Sequence, residues 1–387
     1  MSAFWNNLGQ LLSSLRLTVV LLGLSMVLVL IATFAQVEWG IHEVQKLYFR
    51  SWIAWVDVIP GEKSFSLPLP GGMLLGSLLM LNLLVAHFRR FQFRWNKTGL
   101  ILIHLGVLLL LLGELFTALF GKEAQMRLDE GQARNYSEFP REIELALIDM
   151  SEEGVDQVTA IPLSRLKDGA EFELDGFKLT IRRFFQNSEI LPEASASDDF
   201  DPMRATQGLA TEFAVLGTPR ETAMDRRDLG SAFVELIDSG GESKGVWLLS
   251  NALKAEQSFK IGDKPWKMAI RQCRLYHPFS LRLLDFTHEK YLGTEIPKNF
   301  SSRVTILNEE KDEERETLIY MNHPLRYEGL TFFQSGFDND DTTSILQVVK
   351  NPVWTLPYIA CTLVAVGLLW VFSQHLFKAV AKRRRKP

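Results

Sequence analysis

The sequence predicts a membrane protein of mixed α and β structure, with four transmembrane helices and a large extracytoplasmic antiparallel β-rich domain between helices 3 and 4. Three observations predict it. Four apolar runs have the length of a membrane span. Basic residues gather in one short inter-span loop and in the tail. About 230 residues between the third and fourth runs carry short period-two apolar stretches separated by turn residues.

In chain order, the membrane region is residues 1–120. The first run, Leu15–Ala35, is about 20 residues long, and further spans follow it, so it reads as a retained helix rather than a signal peptide. Residues 36–70 carry Trp39, Tyr48, Trp52 and Trp55, rings suited to the membrane–water boundary. They read as an interfacial amphipathic segment that Pro60, Pro68 and Pro70 bring to an end. The second span, 71–88, is short and holds Asn82, with His87 at its end.

Arg89, Arg90, Arg94 and Lys97 then fall in a loop without an acid. Lys378, Lys382 and Arg383 to Lys386 follow the fourth span, 352–376. Positive charge in short loops marks the cytoplasmic side. The expected topology has both termini and the basic tail 377–387 cytoplasmic, with residues 121–351 outside, in a bacterial cytoplasmic membrane.

The third span, Thr98–Phe120, has 23 residues. At 1.5 Å per residue that is roughly 34 Å of helix, enough for a hydrocarbon core of about 30 Å. Gly99, Gly106 and Gly113 repeat every seven residues, a stripe that lets another helix approach closely. His104 lies two residues from Gly106, roughly 160° round the helix. One side is shaped for packing and the other carries an imidazole. Either that imidazole bonds a neighbouring helix or it serves as a ligand or relay.

Domain 121–351 has strand-like runs at Glu142–Asp149, Glu171–Phe185, Ala232–Ile237, Gly245–Leu249, Lys267–Cys273, Ser280–Phe286, Arg303–Leu307 and Leu330–Phe333. An antiparallel sandwich or open barrel is expected. Asn187–Thr211 reads as a long exposed loop, and Glu309–Glu316 as a solvated hairpin tip.

Cys273 and Cys361 stand far apart, and there is no CxxC, CxxCH, HExxH, nucleotide loop or nucleophile elbow. Thiol redox chemistry and covalent haem attachment to this chain are not expected, and no catalytic residue is assigned. Nothing points to nucleic acid. Of seven histidines, His42, His277, His288 and His323 lie in outer segments. His87, His104 and His375 lie toward the basic ends of the spans. Imidazoles at similar depth on neighbouring helices could hold a haem or a metal ion, or be interfacial residues only.

Several phrases resemble one family. IATFAQ (31–36) is similar to its G-T-x-x-x-Q turn, with Ala32 in place of the glycine. HLGVLLLLLGE (104–114) is similar to its H-(hydrophobic)-G helix, and AQMRLDEGQ (124–132) to its M-x-I-x-E-G-E segment. MNHPLRYEGLTFFQSGFD (321–338) closely resembles its N-x-P-L-x-Y-x-G-x-x-F-x-Q-S element. This is the ResB (CcsB) family of cytochrome c maturation.

The resemblance implies a non-catalytic subunit of a haem-attaching cytochrome c synthase, acting with a CcsA (ResC)-like partner. Haem b would be a transported, non-covalent substrate, passed outward and attached to apocytochrome c. His104 would be an axial haem ligand, with the second ligand from the partner. His87 is a weaker candidate, and no other metal is implied. Arg89 and Arg90 would meet the haem propionates, because guanidinium pairs bidentately with carboxylate. The alternative is a cofactor-free membrane-anchored β-domain serving as scaffold or sensor.

Overall fold

The computed structural model describes residues 2–57, 66–90, 95–152, 155–197, 199–221, 227–293, 297–338 and 342–384. The chain divides into two compact units, Met1–Lys122 with Asn351–Pro387, and Glu123–Glu221 with Asp225–Lys350.

The first unit is helical. It comprises α1 (Ser2–Leu12), α2 (Leu15–Val44), α3 (Gly72–Arg90), α4 (Thr98–Phe120) and α5 (Leu356–Arg384). Four of these, α2 to α5, are long and apolar enough to cross a membrane. Helix α1 was not foreseen. Asn82, buried in α3, explains how it is held against the start of α2. Its amide nitrogen donates to the carbonyls of Leu12 (2.6 Å) and Ser14 (3.2 Å), and its oxygen accepts from Thr18 Oγ1 (2.7 Å). One polar side chain thereby supplies a donor to the Leu12 carbonyl at the break between α1 and α2, and a further one to the Ser14 carbonyl, which also accepts the Thr18 N–H.

The segment 36–70 is not one amphipathic stretch. The helix runs on past Ala35, bends where Gly40 takes φ 69°, and ends in a π-turn at Gln45–Phe49. A hairpin then pairs β1 (Ile53–Asp57) with β2 (Ser66–Pro70). Ala54 is buried against α2 and α3, while Ile53 and Trp55 alternate outward. Pro68 lies inside β2, as an edge strand allows, Pro70 is the last residue of that strand and closes the segment before α3, and Pro60 lies outside the described residues. Helix α5, the fourth candidate span, starts at Leu356, so Pro357 sits in its first turn, where no intrahelical N–H is lost.

The second unit is built of antiparallel β pairs, with one isolated parallel bridge between Gln207 and Trp247. Its strands are β3 (Lys122–Asp129), β4 (Ala133–Glu152), β5 (Val155–Pro162), β6 (Glu171–Leu174), β7 (Phe177–Phe185), β8 (Ser188–Pro192), β9 (Phe213–Gly217), β10 (Ser231–Asp238), β11 (Ser243–Ser250), β12 (Gln257–Ile261), β13 (Lys264–Lys290), β14 (Pro297–Asn308), β15 (Glu313–Tyr320), β16 (Leu325–Tyr327), β17 (Leu330–Asp338) and β18 (Thr343–Lys350). A ten-stranded sheet runs β15-β14-β13-β4-β3-β18-β17-β16, with β5 added to β4 and β12 to β13. A four-stranded sheet runs β11-β10-β7-β6.

The long strands β4 and β13 form a spine serving two cores. The second half of β4 and the first half of β13 pack against the four-stranded sheet as a sandwich around Leu145, Leu147, Leu179, Val234 and Met268. The remainder of the large sheet wraps a second core of Leu281, Val304, Ile306, Phe332 and Leu346. The register slips twice along the spine, where 139–142 oppose Cys273 and where 277–280 oppose Asn135. Pro140 and Pro278 sit in these slips. Proline cannot donate to a ladder, so the pairing bulges there and each strand continues beyond.

The stretch Asn187–Thr211 is largely exposed, as expected, but it is not wholly a solvated loop. It begins with β8, and Ala205 and Ala210 are buried against Phe233 and Leu248, covering the second face of the four-stranded sheet. That explains the continuous burial of Ser231–Val234. Full burial of Phe233 and Leu248 is worth roughly 1.5–3 kcal/mol each. Residues 309–311 form a short 3-10 turn between β14 and β15, with Asp312 at φ 49°.

Candidate functional site: a histidine-lined cavity between membrane helices

Helix α4 has two differently built sides. Its glycine stripe meets α5. A Cβ placed on Gly99 would stand 2.8 Å from the Gly367 carbonyl oxygen, and one on Gly106 would stand 2.7 Å from that of Ala360. Only glycine allows this backbone approach, so the stripe is a packing surface.

The other side faces α2 and α3 across a cavity of about 620 Å³. His104 and His87 both line it, with Thr18 and Leu22 of α2, Leu79 and Leu83 of α3, and Ile101 and Val107 of α4. The two imidazoles, from neighbouring helices, are close enough to interact electrostatically. The cavity is largely apolar with few convergent polar groups and has the size of a small-molecule site. Lys97, just before α4, adds a cation to its wall, whereas the sequence reading named it only as a topology-setting charge.

The other candidates are placed differently. The Arg89 guanidinium donates to Asn6 of α1, to Oδ1 at 2.6 Å and to the backbone oxygen at 3.2 Å, and Arg89 does not line the cavity. The side chain of Arg90 and all of Arg94 lie outside the described residues. His375 is exposed on α5, away from the cavity lining. No cluster of three or more His, Cys, Asp or Glu suited to a metal ion occurs among the described residues.

In the β unit, His277 is buried at the Pro278 slip, with Nε2 3.0 Å from Ser137 Oγ and its ring stacked on Phe279. Burial pushes its pKa down to about 4, so it is a neutral structural group. His323 stacks on Tyr320 in a turn. Cys273 is half-buried, and burial together with the neighbouring Glu144 pushes its thiol up to about 11, the reverse of a reactive cysteine.

The motif at 321–338 proves architectural. Asn322, Glu328 and Gly329 take positive φ at two turns. Tyr327 donates to Glu313 (2.7 Å) and accepts from Asn308 (2.9 Å). Gln334 ties three strands, accepting from Ser302 Oγ (2.6 Å) and donating to the Gly336 carbonyl (3.1 Å) and to Ser344 Oγ (3.2 Å).

Residues 250–349, which contain that motif, match the ResB-like family. Over that segment the chain is ResB-like. It is 23% identical over 94% of its length to Protein NrfI of Wolinella succinogenes, covering 35% of that protein. It is 27% identical over 32% of its length to the cytochrome c biogenesis protein CcsB of a Picosynechococcus species, covering 22% of it. A Synechococcus CcsB is 33% identical over 22% of the chain, covering 20% of that relative. The chain thus spans about a third or less of the length of the relatives it matches.

Proposed function

We propose that this ResB-like chain serves cytochrome c biogenesis as a haem-handling membrane subunit, with the α2–α3–α4 cavity as its haem site. The observation that carries this reading is the placement of His104, on the face of α4 turned away from the glycine stripe, inside a cavity of ligand size that His87 also lines. Haem is an apolar macrocycle with two carboxylates and an iron that accepts imidazole. The apolar wall would hold the macrocycle and His104 would ligate the iron. Lys97 would meet a propionate, a role that Arg89, bonded to Asn6, does not fill in this conformation. His87 is a second imidazole on the same wall. The resemblance implies instead that the second ligand comes from a CcsA-like partner.

The positive-inside pattern supports placing the basic ends of the spans, and hence this cavity, at the cytoplasmic side of a bacterial inner membrane. Haem would enter there and pass toward the β unit's side, where apocytochrome c is met. This chain's part is to bind, orient and shield haem from water. Bond formation to the cytochrome belongs to the complex.

The test is the absorption spectrum of the purified chain in mild detergent, alone and with a CcsA-like partner, for wild type, His104→Ala and His87→Ala. The expected result is a haem band that His104→Ala removes or shifts and that added imidazole restores. A band indifferent to His104 places the haem elsewhere. No band in any sample, with haem supplied, favours the cofactor-free scaffold.

A further inference from the structure

A second cavity, of about 570 Å³, lies between the same three helices toward their other ends. It is lined by the later part of α2, the start of α3 and the later part of α4, whereas the first takes the opposite part of each helix. Leu111 lines both. Along α4, His104, Val107, Leu111, Glu114 and Ala118 follow at three- and four-residue steps, a single stripe facing one groove. His104 and Glu114 are ten residues apart on it, about 15 Å of helix.

We propose that the second cavity is a further station for the same amphipathic carboxylate cargo, with Leu111 as the divider between the two. This rests on the haem reading of the first cavity. Arg50 lines the second cavity and supplies a guanidinium for a propionate, beside the amides of Gln36 and Gln45. Gly76 makes the room, since a Cβ there would meet nothing within 4 Å. Glu114 acts in the opposite sense. It sets a carboxylate beside a carboxylate-bearing ligand, so this station holds the cargo more weakly and releases it more readily.

The experiment is a haem titration of the full chain in lipid nanodiscs, read by absorbance against protein-free nanodiscs. Wild type is expected to bind two equivalents. His104→Ala removes one. Gly76→Phe, which fills the second cavity, and Arg50→Ala each remove the other and leave the His104-dependent spectrum unchanged. Glu114→Gln tightens the second equivalent roughly tenfold. Gly76→Ala, which leaves most of the space, keeps both equivalents and shows that the Phe effect is one of volume.

A wild type with a single, His104-dependent equivalent overturns this station and leaves the first site standing. Two equivalents unaffected by Gly76→Phe and Arg50→Ala also overturn it. An equivalent that depends on Gly76 but not on His104 defeats the functional reading of the first cavity instead. Failure to bind haem at all defeats both.

Discussion

Gly106 of α4 lies so close to Ala360 of α5 that a Cβ on it would stand 2.7 Å from the Ala360 carbonyl oxygen and 2.6 Å from Val364 Cγ2. In lipid, helices gain little from apolar burial against each other, so van der Waals contact at this spacing is the main term holding α4 to α5. Gly106→Leu is expected to force the pair apart and lower stability by about 1–3 kcal/mol, the usual cost of overpacking. Thermal unfolding in detergent reads this out. Gly76→Ala, placed in open space on α3, is expected to leave the midpoint within about a degree of wild type, because a methyl there displaces nothing. Equal melting of all three proteins would mean that the stripe is not a packing surface.

His277 gives the β unit an acid limit. It is only 8% exposed, and burial holds its pKa near 4, below about 6.5 for an unfolded histidine. Above pH 6.5 it is neutral in both states and has no effect on stability. As pH falls from 6.5 toward 4 the unfolded chain takes the proton first, so stability drops with falling pH, by at most about 3 kcal/mol. Urea unfolding of the full chain, followed by β-sheet circular dichroism between pH 7 and 4, should show this loss. In His277→Gln the part of the slope that histidine causes should vanish while the carboxylate part remains. Unchanged slopes would assign the acid sensitivity to other groups.

What was legible in the sequence follows from periodicity. A seven-residue glycine repeat and a histidine 160° away are properties of one helix, and both sides of α4 are built as that geometry requires. Properties that depend on two elements were hidden. Nothing local to His87 says that α3 places it across from His104, and nothing local to Arg89 says that Asn6 of an extra helix will take its guanidinium. Proline misled in the β unit. The expected runs begin or stop near Pro140 and Pro278, yet the ladder continues past each, extending 142–149 back to Ala133 in β4 and joining 267–273 and 280–286 in β13. The polar composition of 187–211 hid the two alanines that close the second face of a sheet.

Gln334 belongs to the phrase that carries most of the family resemblance, and its bonds assign it to folding. Its amide joins Ser302 of β14, Gly336 of β17 and Ser344 of β18 at a point where the β17–β18 register slips. Ser302 and Ser344 are fully buried and also bond each other at 2.6 Å. Gln334→Met keeps the volume but removes three bonds, so it is expected to destabilise by about 1–3 kcal/mol, the cost of leaving buried polar groups short of partners. Removing Ser344 as well should cost less than the sum of the single changes, with a coupling of at least about 0.5 kcal/mol, because the network is then already broken. Urea unfolding of Gln334→Met, Ser344→Ala and the double variant measures this. Additive effects, or a Gln334→Met protein as stable as wild type, would leave the glutamine to be explained by contact with a client or partner.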